Sequence, residues 1–284
     1  MQLVETVREM QFICEAIRAS GRTVGLVPTM GYFHQGHLEL MRAARKHADQ
    51  VVVSIFVNPI QFGPEEDLED YPRDLQKDLA DAEELGVDFV FHPSVEEMYP
   101  AGFQTQVRVM ELTRHLCGLS RPGHFEGVAT VVAKLFNITR PHLAFFGQKD
   151  YQQLTVVSRM ARDLDMGVDI VGIPIVREPD GLAMSSRNIY LSPEERKSAL
   201  SLHESLDKAD EIVREGERDA AEILRTVEEY IRSKPYTEID YVSLCHPDTL
   251  EDVDEIQGDV LLALAVRVGK ARLIDNRILR PDKT

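Results

Sequence analysis

Residues 24–41 read V-G-L-V-P-T-M-G-Y-F-H-Q-G-H-L-E-L-M, an apolar run that ends in a glycine-containing turn and restarts as a helical pattern. Val24, Leu26 and Val27 are residues of a buried strand, and the spacing from Leu38 onward is that of a helix. Strand, turn and helix in that order form the opening unit of a Rossmann-like sheet. A helix start also presents unpaired backbone N–H groups and the positive end of a dipole, which suits a phosphate. His34 and His37 stand at that start. Residues three apart on a helix share a face, so both imidazoles are expected to reach one ligand, with Gly36 keeping the approach open to a bulky anion. Two readings compete with this one. The pair is also compatible with capping or surface histidines, and less well with zinc, because no glutamate is embedded between them and no Cys or Asp completes a site nearby.

Outward from this segment the same alternation continues. Helical spacing covers residues 6–19, 38–48, 74–85, 128–138 and 152–164, and short apolar runs at 51–57, 87–91, 142–146 and 169–175 read as buried parallel strands. The expected fold class is therefore α/β, a Rossmann-like doubly wound parallel sheet with ligands at the C-terminal strand ends. After about residue 175 the pattern changes. A long charged helical stretch opens at Pro193, breaks near Gly216 and ends before Pro235, and strands are predicted at 240–245, 260–268 and 271–275. The division expected is a nucleotide-binding domain over 1–175 and a smaller α+β domain over 176–284 that closes over the active site. Residues 105–109, T-Q-V-R-V, are a candidate edge strand for pairing with a second copy.

Composition narrows the function classes. A net charge of −16 argues against a nucleic-acid-binding surface or an anionic-membrane partner. The acidic run 65–70 is expected to be a solvated face. Three cysteines, Cys14, Cys117 and Cys245, are odd in number and widely spaced, which fits a reducing cytoplasm better than a disulfide framework. The N-terminus lacks the basic start and apolar block of a signal peptide, and the run 260–266 is too short to span a bilayer, so a cytoplasmic location is expected.

Two further clusters suit phosphate chemistry. In F-F-G-Q-K-D (145–150), an apolar strand ends at Gly147, Lys149 offers a point charge, and Asp150 is able to bind a ribose or lie near Mg2+. In M-S-S-R-N (184–188), Ser185, Ser186 and Arg187 provide two hydroxyls and a guanidinium on a loop, although such a tripeptide also serves as an ordinary helix cap. Gln61, after the strand at 51–57, and the loop Arg121-Pro-Gly-His124 look like acceptor-binding parts, with turn chemistry as the alternative for His124.

Taken in order, P-T-M-G-x-x-H-x-G-H, F-V-N-P-x-Q-F-G, Y-P-R, R-P-G-H-F-x-G-V, F-G-x-K-D-x-Q-Q and S-S-R-N resemble the pantothenate synthetase (pantoate–β-alanine ligase) family, within the HxGH nucleotidyltransferase superfamily. The first motif alone indicates only the superfamily, whereas the set of six, over roughly residues 25–190, is specific. The last third matches more loosely, through D-Y-V-S-L and A-R-L-I-D-N.

The resemblance implies ATP as a substrate, Mg2+ on its phosphates, pantoate and β-alanine as the small-molecule partners, and a homodimer. It implies a pantoyl adenylate, formed with release of pyrophosphate and then attacked by the β-alanine amine. By the same resemblance His34, His37, Lys149 and Arg187 would be catalytic. Met30, Gly147, Asp150, Ser185 and Ser186 would join them around ATP, and Gln61, Gln153, Met30 and Arg121 would hold pantoate. The segment 62–73 is a candidate flap over the acceptor. The nearest alternative is a nucleotidyltransferase acting on a phosphate acceptor, which the neutral Gln61 and Gln153 suit less well. A non-catalytic nucleotide sensor is the alternative from another class.

Overall fold

The computed structural model describes residues 1–64 and 66–281, and its chain divides into two compact units. The first comprises residues 1–110, 121–148 and 153–174, and the second 111–120, 149–152 and 175–284. Of the acidic run 65–70 and the candidate flap 62–73, Glu65 lies outside the described residues.

The first unit is a six-stranded parallel sheet. Its strands are β1 (Gln2–Val4), β2 (Val24–Thr29), β3 (Gln50–Ile55), β4 (Phe89–Phe91), β5 (Leu143–Gly147) and β6 (Asp169–Ile173), in the spatial order β1-β4-β3-β2-β5-β6. The helices between them are α1 (Val7–Ala19), α2 (Gln35–His47), α3 (Leu75–Glu84) and the single turn α4 (Val95–Met98). Beyond α4 come α5 (Cys117–Ser120), which belongs to the second unit, then α6 (His124–Thr139) and α7 (Tyr151–Asp163). From β2 the chain builds outward through β3 and β4, whereas β5 and β6 extend the other side of β2. The direction of winding therefore reverses between β2 and β5, and in such sheets ligands bind at the strand C-termini of that crevice. The register places Thr29 opposite Ile55 and Gly25 opposite Leu143, so the last residue of β5, Gly147, comes level with Thr29.

Sequence patterning explains most of these elements. The central strands β2, β3 and β5 are buried almost throughout, which is why they read as continuous apolar runs. Helix α1 buries Met10, Cys14 and Ile17 at helical spacing and is capped by the Thr6 side chain. The strand β1 has no legible pattern: only Val4 of its three residues is buried, and pairing with β4 defines it. Residues 105–109 do not form the expected strand. They belong to no sheet of the described chain, and Val107 instead donates its N–H to Thr130 Oγ1 of α6. Helix α6 begins at His124, four residues before the expected start, so part of the loop assigned to acceptor binding is helical.

In the second unit, α8 (Pro193–Arg214) and α9 (Ala220–Arg232) pack on an antiparallel sheet of β7 (Thr237–Cys245), β8 (Val260–Val268) and β9 (Ala271–Leu279), in that order. Helix α8 starts with Pro193 at its first position and a reciprocal Ser192–Glu195 capping box. Helix α9 turns Ala220, Ile223, Val227 and Ile231 into a core with Leu262, Leu264 and Val266 of β8. Each large aliphatic buried there contributes about 1.5–3 kcal/mol.

Candidate active site

The turn that follows β2 is held by a residue from α3. Gly31 and Tyr32 both have left-handed backbone, at φ 83° and 53°. The Asp78 carboxylate receives the Tyr32 N–H on Oδ2 and the Phe33 N–H on Oδ1, both at 2.7 Å. Burial pushes the Asp78 carboxyl up, and these two amide bonds and nearby Lys77 oppose that rise. Lys77 adds a bond from Nζ to Phe33 O at 3.1 Å. Asp78 lies on the buried side of α3 with Ala82, where packing alone would call for an apolar residue.

His34 and His37 follow directly. His34 is the N-cap of α2, and its Nδ1 accepts the Gly36 N–H at 3.1 Å, while His37 Nδ1 accepts the His34 N–H at 3.3 Å. The rings stack, with centroids 4.1 Å apart and planes at 30°. The capping reading of this pair is therefore correct as geometry, and it is compatible with ligand binding. Accepting through Nδ1 places the proton of each neutral ring on Nε2, so the pair presents two N–H donors at the N-terminus of α2. A Cβ at Gly36 would sit 2.8 Å from His34 Cε1, so this glycine makes room for the histidine ring.

Gln61 stands in a short 3-10 turn after β3 and is buried. Asn58 Nδ2 donates to Gln61 Oε1 at 3.0 Å and to Gly127 O at 3.1 Å, while Asn58 Oδ1 accepts the Tyr99 hydroxyl at 2.8 Å. This fixes the Gln61 amide with Nε2 towards Met30, whose Sδ lies 3.2 Å away. A thioether is a weak acceptor, so a good buried donor is spent on a poor partner. A Cβ at Gly127 would come within 2.6 Å of Gln61 Cα, so only glycine lets this turn lie against α6.

Arg121 and His124 extend the network. His124 Nδ1 faces Gln61 O at 2.9 Å, and its Nε2 faces Arg121 Nη1 at 2.9 Å. A carbonyl only accepts and a guanidinium only donates, so the imidazole is the neutral Nδ1–H tautomer. Arg121 also forks onto Glu66, at 2.6 Å from Nε and 2.7 Å from Nη2. Burial pushes the Glu66 carboxyl up, but the Arg121 hydrogen bonds and charge outweigh it and hold the group below its usual range. Gln153 occupies the first turn of α7, half-buried, and Gly147 ends β5 with open space where a Cβ would stand.

The remaining candidates belong to the second unit. Lys149 and Asp150 share the 3-10 turn Gln148–Asp150, with Lys149 Nζ 4.0 Å from Asp150 Oδ2. Ser185 caps the 3-10 turn Ser186–Tyr190 by accepting the Arg187 N–H at 3.3 Å. Asn188 braces that turn, donating from Nδ2 to Ala183 O at 3.1 Å and to Glu178 Oε1 at 2.6 Å. Arg196 of α8 holds the other Glu178 oxygen at 2.6 Å. Asn58, Asp78 and Asn188 carry no role in the sequence reading. Asn58 and Asn188 lie inside quoted motifs, and Asp78 had one signal, an acid on the apolar face of a helix.

A Rossmann-like parallel sheet, with a histidine-capped helix following its central strand and an added α+β unit, defines the class as an α/β nucleotide-binding enzyme fold. The family model described as Pantoate-beta-alanine ligase matches residues 2–278, so the chain belongs to the pantoate–β-alanine ligase family. It is 58% identical to the pantothenate synthetase of Syntrophus aciditrophicus (strain SB) over 278 residues, covering 98% of this chain and 97% of that protein. The crystal structure of pantothenate synthetase from Thermus thermophilus is similar at a TM-score of 0.93 and 50% identity, over 99% of this chain and 100% of that one. A pantoate-β-alanine ligase from Francisella tularensis, complexed with β-γ ATP and β-alanine, is similar at 0.81 and 32% identity, over 98% and 97%.

Proposed function

We propose that this chain joins pantoate to β-alanine at the expense of ATP, through a pantoyl adenylate. In the first step a pantoate carboxylate oxygen attacks the α-phosphorus, the bond to the β-phosphate bridging oxygen breaks, and pyrophosphate leaves. In the second, the β-alanine amine attacks the acyl carbon, the acyl C–O bond breaks so that AMP departs with the anhydride oxygen, and the amine loses a proton. A carboxylate is a poor electrophile, so activation must come first. The main requirement is stabilisation of charge on the departing pyrophosphate, which is met by positioned donors rather than by a nucleophilic side chain.

The observation that carries this reading is the buried Gln61 Nε2–H directed at a thioether sulfur. A neutral donor in want of an oxygen acceptor suits a small hydroxy acid better than a second phosphate. His34 and His37, presenting Nε2–H donors, are assigned to the triphosphate. Lys149, Ser185, Ser186 and Arg187 are assigned to the same phosphates, Asp150 to the ribose, Gly147 and Met30 to the nucleotide's surroundings, and Gln61, Gln153, Met30 and Arg121 to pantoate.

Mg2+ enters this scheme as the counter-ion of ATP, held chiefly by phosphate oxygens and water. Such an ion needs no cage of side chains, and among the described residues no three His, Cys, Asp or Glu gather as one. No described helix is long and apolar enough to cross a membrane, and the three cysteines are free thiols. A cytoplasmic homodimer completes the proposal. The deciding assay is AMP formation that requires both pantoate and β-alanine, with pyrophosphate exchange into ATP that requires pantoate alone. Exchange supported by a phosphate acceptor instead would overturn the reading in favour of nucleotidyl transfer.

A further inference from the structure

The A-R-L-I-D-N segment of β9 places two buried polar residues side by side. Asp275 is 2% exposed and Asn276 is 7% exposed. Successive strand residues point to opposite faces, so the pair serves two different partners. Asp275 takes a forked ion pair from Arg177, at 2.6 Å and 2.9 Å, and Arg177 Nη1 also reaches Gly181 O at 3.1 Å. Asn276 Nδ2 donates to the main-chain oxygen of Lys149 at 2.9 Å. Three residues beyond Lys149, Gln152 Nε2 donates to Leu112 O at 2.8 Å and His115 O at 2.7 Å. The short segment 149–152 is thus tied down at both ends by buried side-chain amides of its own unit.

We propose that Asn276 is a positioning residue for the adenylation step, fixing the main chain from which the Lys149 ammonium is delivered to the triphosphate. A lysine is a point charge on a four-carbon stem with large rotamer freedom, so its aim depends on how firmly its backbone is held. Charge stabilisation of a leaving group is sensitive to displacements of an ångström. Burial of an amide donor is costly unless it is bonded, and the Lys149 carbonyl supplies an acceptor to the Asn276 amide at this place. The Asn276 contact therefore couples strand β9 to the proposed phosphate-binding turn without itself touching substrate. The inference rests on the phosphate-binding role proposed for Lys149.

The test is a double-mutant cycle in the full chain, read by pantoate-dependent pyrophosphate exchange and by thermal unfolding. Asn276→Ala should lower kcat/KM for ATP by about 10- to 100-fold, the scale of lost ångström positioning, with KM for pantoate changed less than about twofold. Once Lys149→Ala has removed the ammonium, adding Asn276→Ala should cost less than about twofold more, because the two act as one unit. Asn276→Leu keeps about the side-chain volume and removes the amide donor without adding a charge, and carries the same test if the alanine variant fails to fold. Exchange near normal in the Asn276 variants, or a double variant whose loss is the product of the single losses, overturns the inference while leaving Lys149 in its role. Lys149→Ala with near-normal exchange overturns the phosphate-binding reading itself.

Discussion

Asp78 Oδ1 accepts the Phe33 N–H at 2.7 Å, and the partner oxygen takes Tyr32, so one buried carboxylate from α3 fixes the backbone entering His34. Replacing Asp78 with Asn leaves one acceptor and sets an NH2 group against a backbone N–H. Leaving a buried donor unsatisfied costs about 1–3 kcal/mol. Relief of the cost of burying a charge, which raises this carboxyl, offsets part of it. Asp78→Asn should therefore lower thermal stability modestly and adenylation markedly, since the misplaced groups precede the histidine pair. Thermal unfolding and pyrophosphate exchange on the same sample check this, and exchange unchanged at lower stability would restrict Asp78 to a structural role.

His34 and His37 combine a structural and a proposed chemical role that substitution separates. Loss of a cap typically costs about 0.5–2 kcal/mol, whereas loss of a donor to developing charge typically costs about 10²–10³ in rate. His37→Ala should fold, melt slightly earlier and lose adenylation on the larger scale. His37→Asn offers a neutral acceptor and tests whether the cap is restored without the ring. A His37→Ala chain that loses stability but keeps its exchange rate would leave the pair with capping alone.

The parallel sheet was legible because its central strands are apolar on both faces, a pattern that does not depend on distant partners. The histidine pair was legible because motif and helix start coincide. What stayed hidden depends on contacts remote in sequence. Strand β1 exists by pairing with residues 89–91, and residues 105–109, although alternating, are drawn to Thr130 instead of a sheet. Asp78 braces a turn 45 residues earlier, and Asn276 reaches Lys149 across 127 positions. Helix α6 starts directly after Gly123, whose left-handed backbone at φ 83° turns the chain into it, and Gly127 then lets the Gln61 turn lie against the helix.

The Glu66–Arg121 pair gives a pH prediction. Glu66 has its folded pKa held below the usual carboxylate range, so its contribution to stability is fully present above the unfolded pKa. That contribution fades as pH falls through the folded value, and acid should loosen the bond to Arg121. In Arg121→Ala the burial cost is opposed only by the Gly63 N–H bond and nearby His124, and the Glu66 pKa should rise. Titration followed by NMR of labelled glutamate decides this, and a Glu66 value insensitive to Arg121→Ala would show that the pair is not what sets it.

The glutamines provide the sharpest separation between substrates. Gln61 Nε2 is directed at Met30 Sδ by the Asn58 bond to Oε1, so its donor is oriented before any substrate arrives. Exchange of the sulfur for a pantoate oxygen would turn a weak bond into an ordinary one, worth on the order of 1 kcal/mol, or several-fold in affinity. Gln61→Ala and Gln153→Ala should accordingly raise KM for pantoate several-fold while leaving KM for ATP nearly unchanged. Asn58→Ala should reproduce part of the Gln61 effect, because the amide would no longer be held in that orientation. Initial rates with each substrate varied in turn measure all three variants. A rise in KM for ATP equal to that for pantoate would mean that these amides shape the site as a whole, and the assignment of Gln61 and Gln153 to the hydroxy acid would fall.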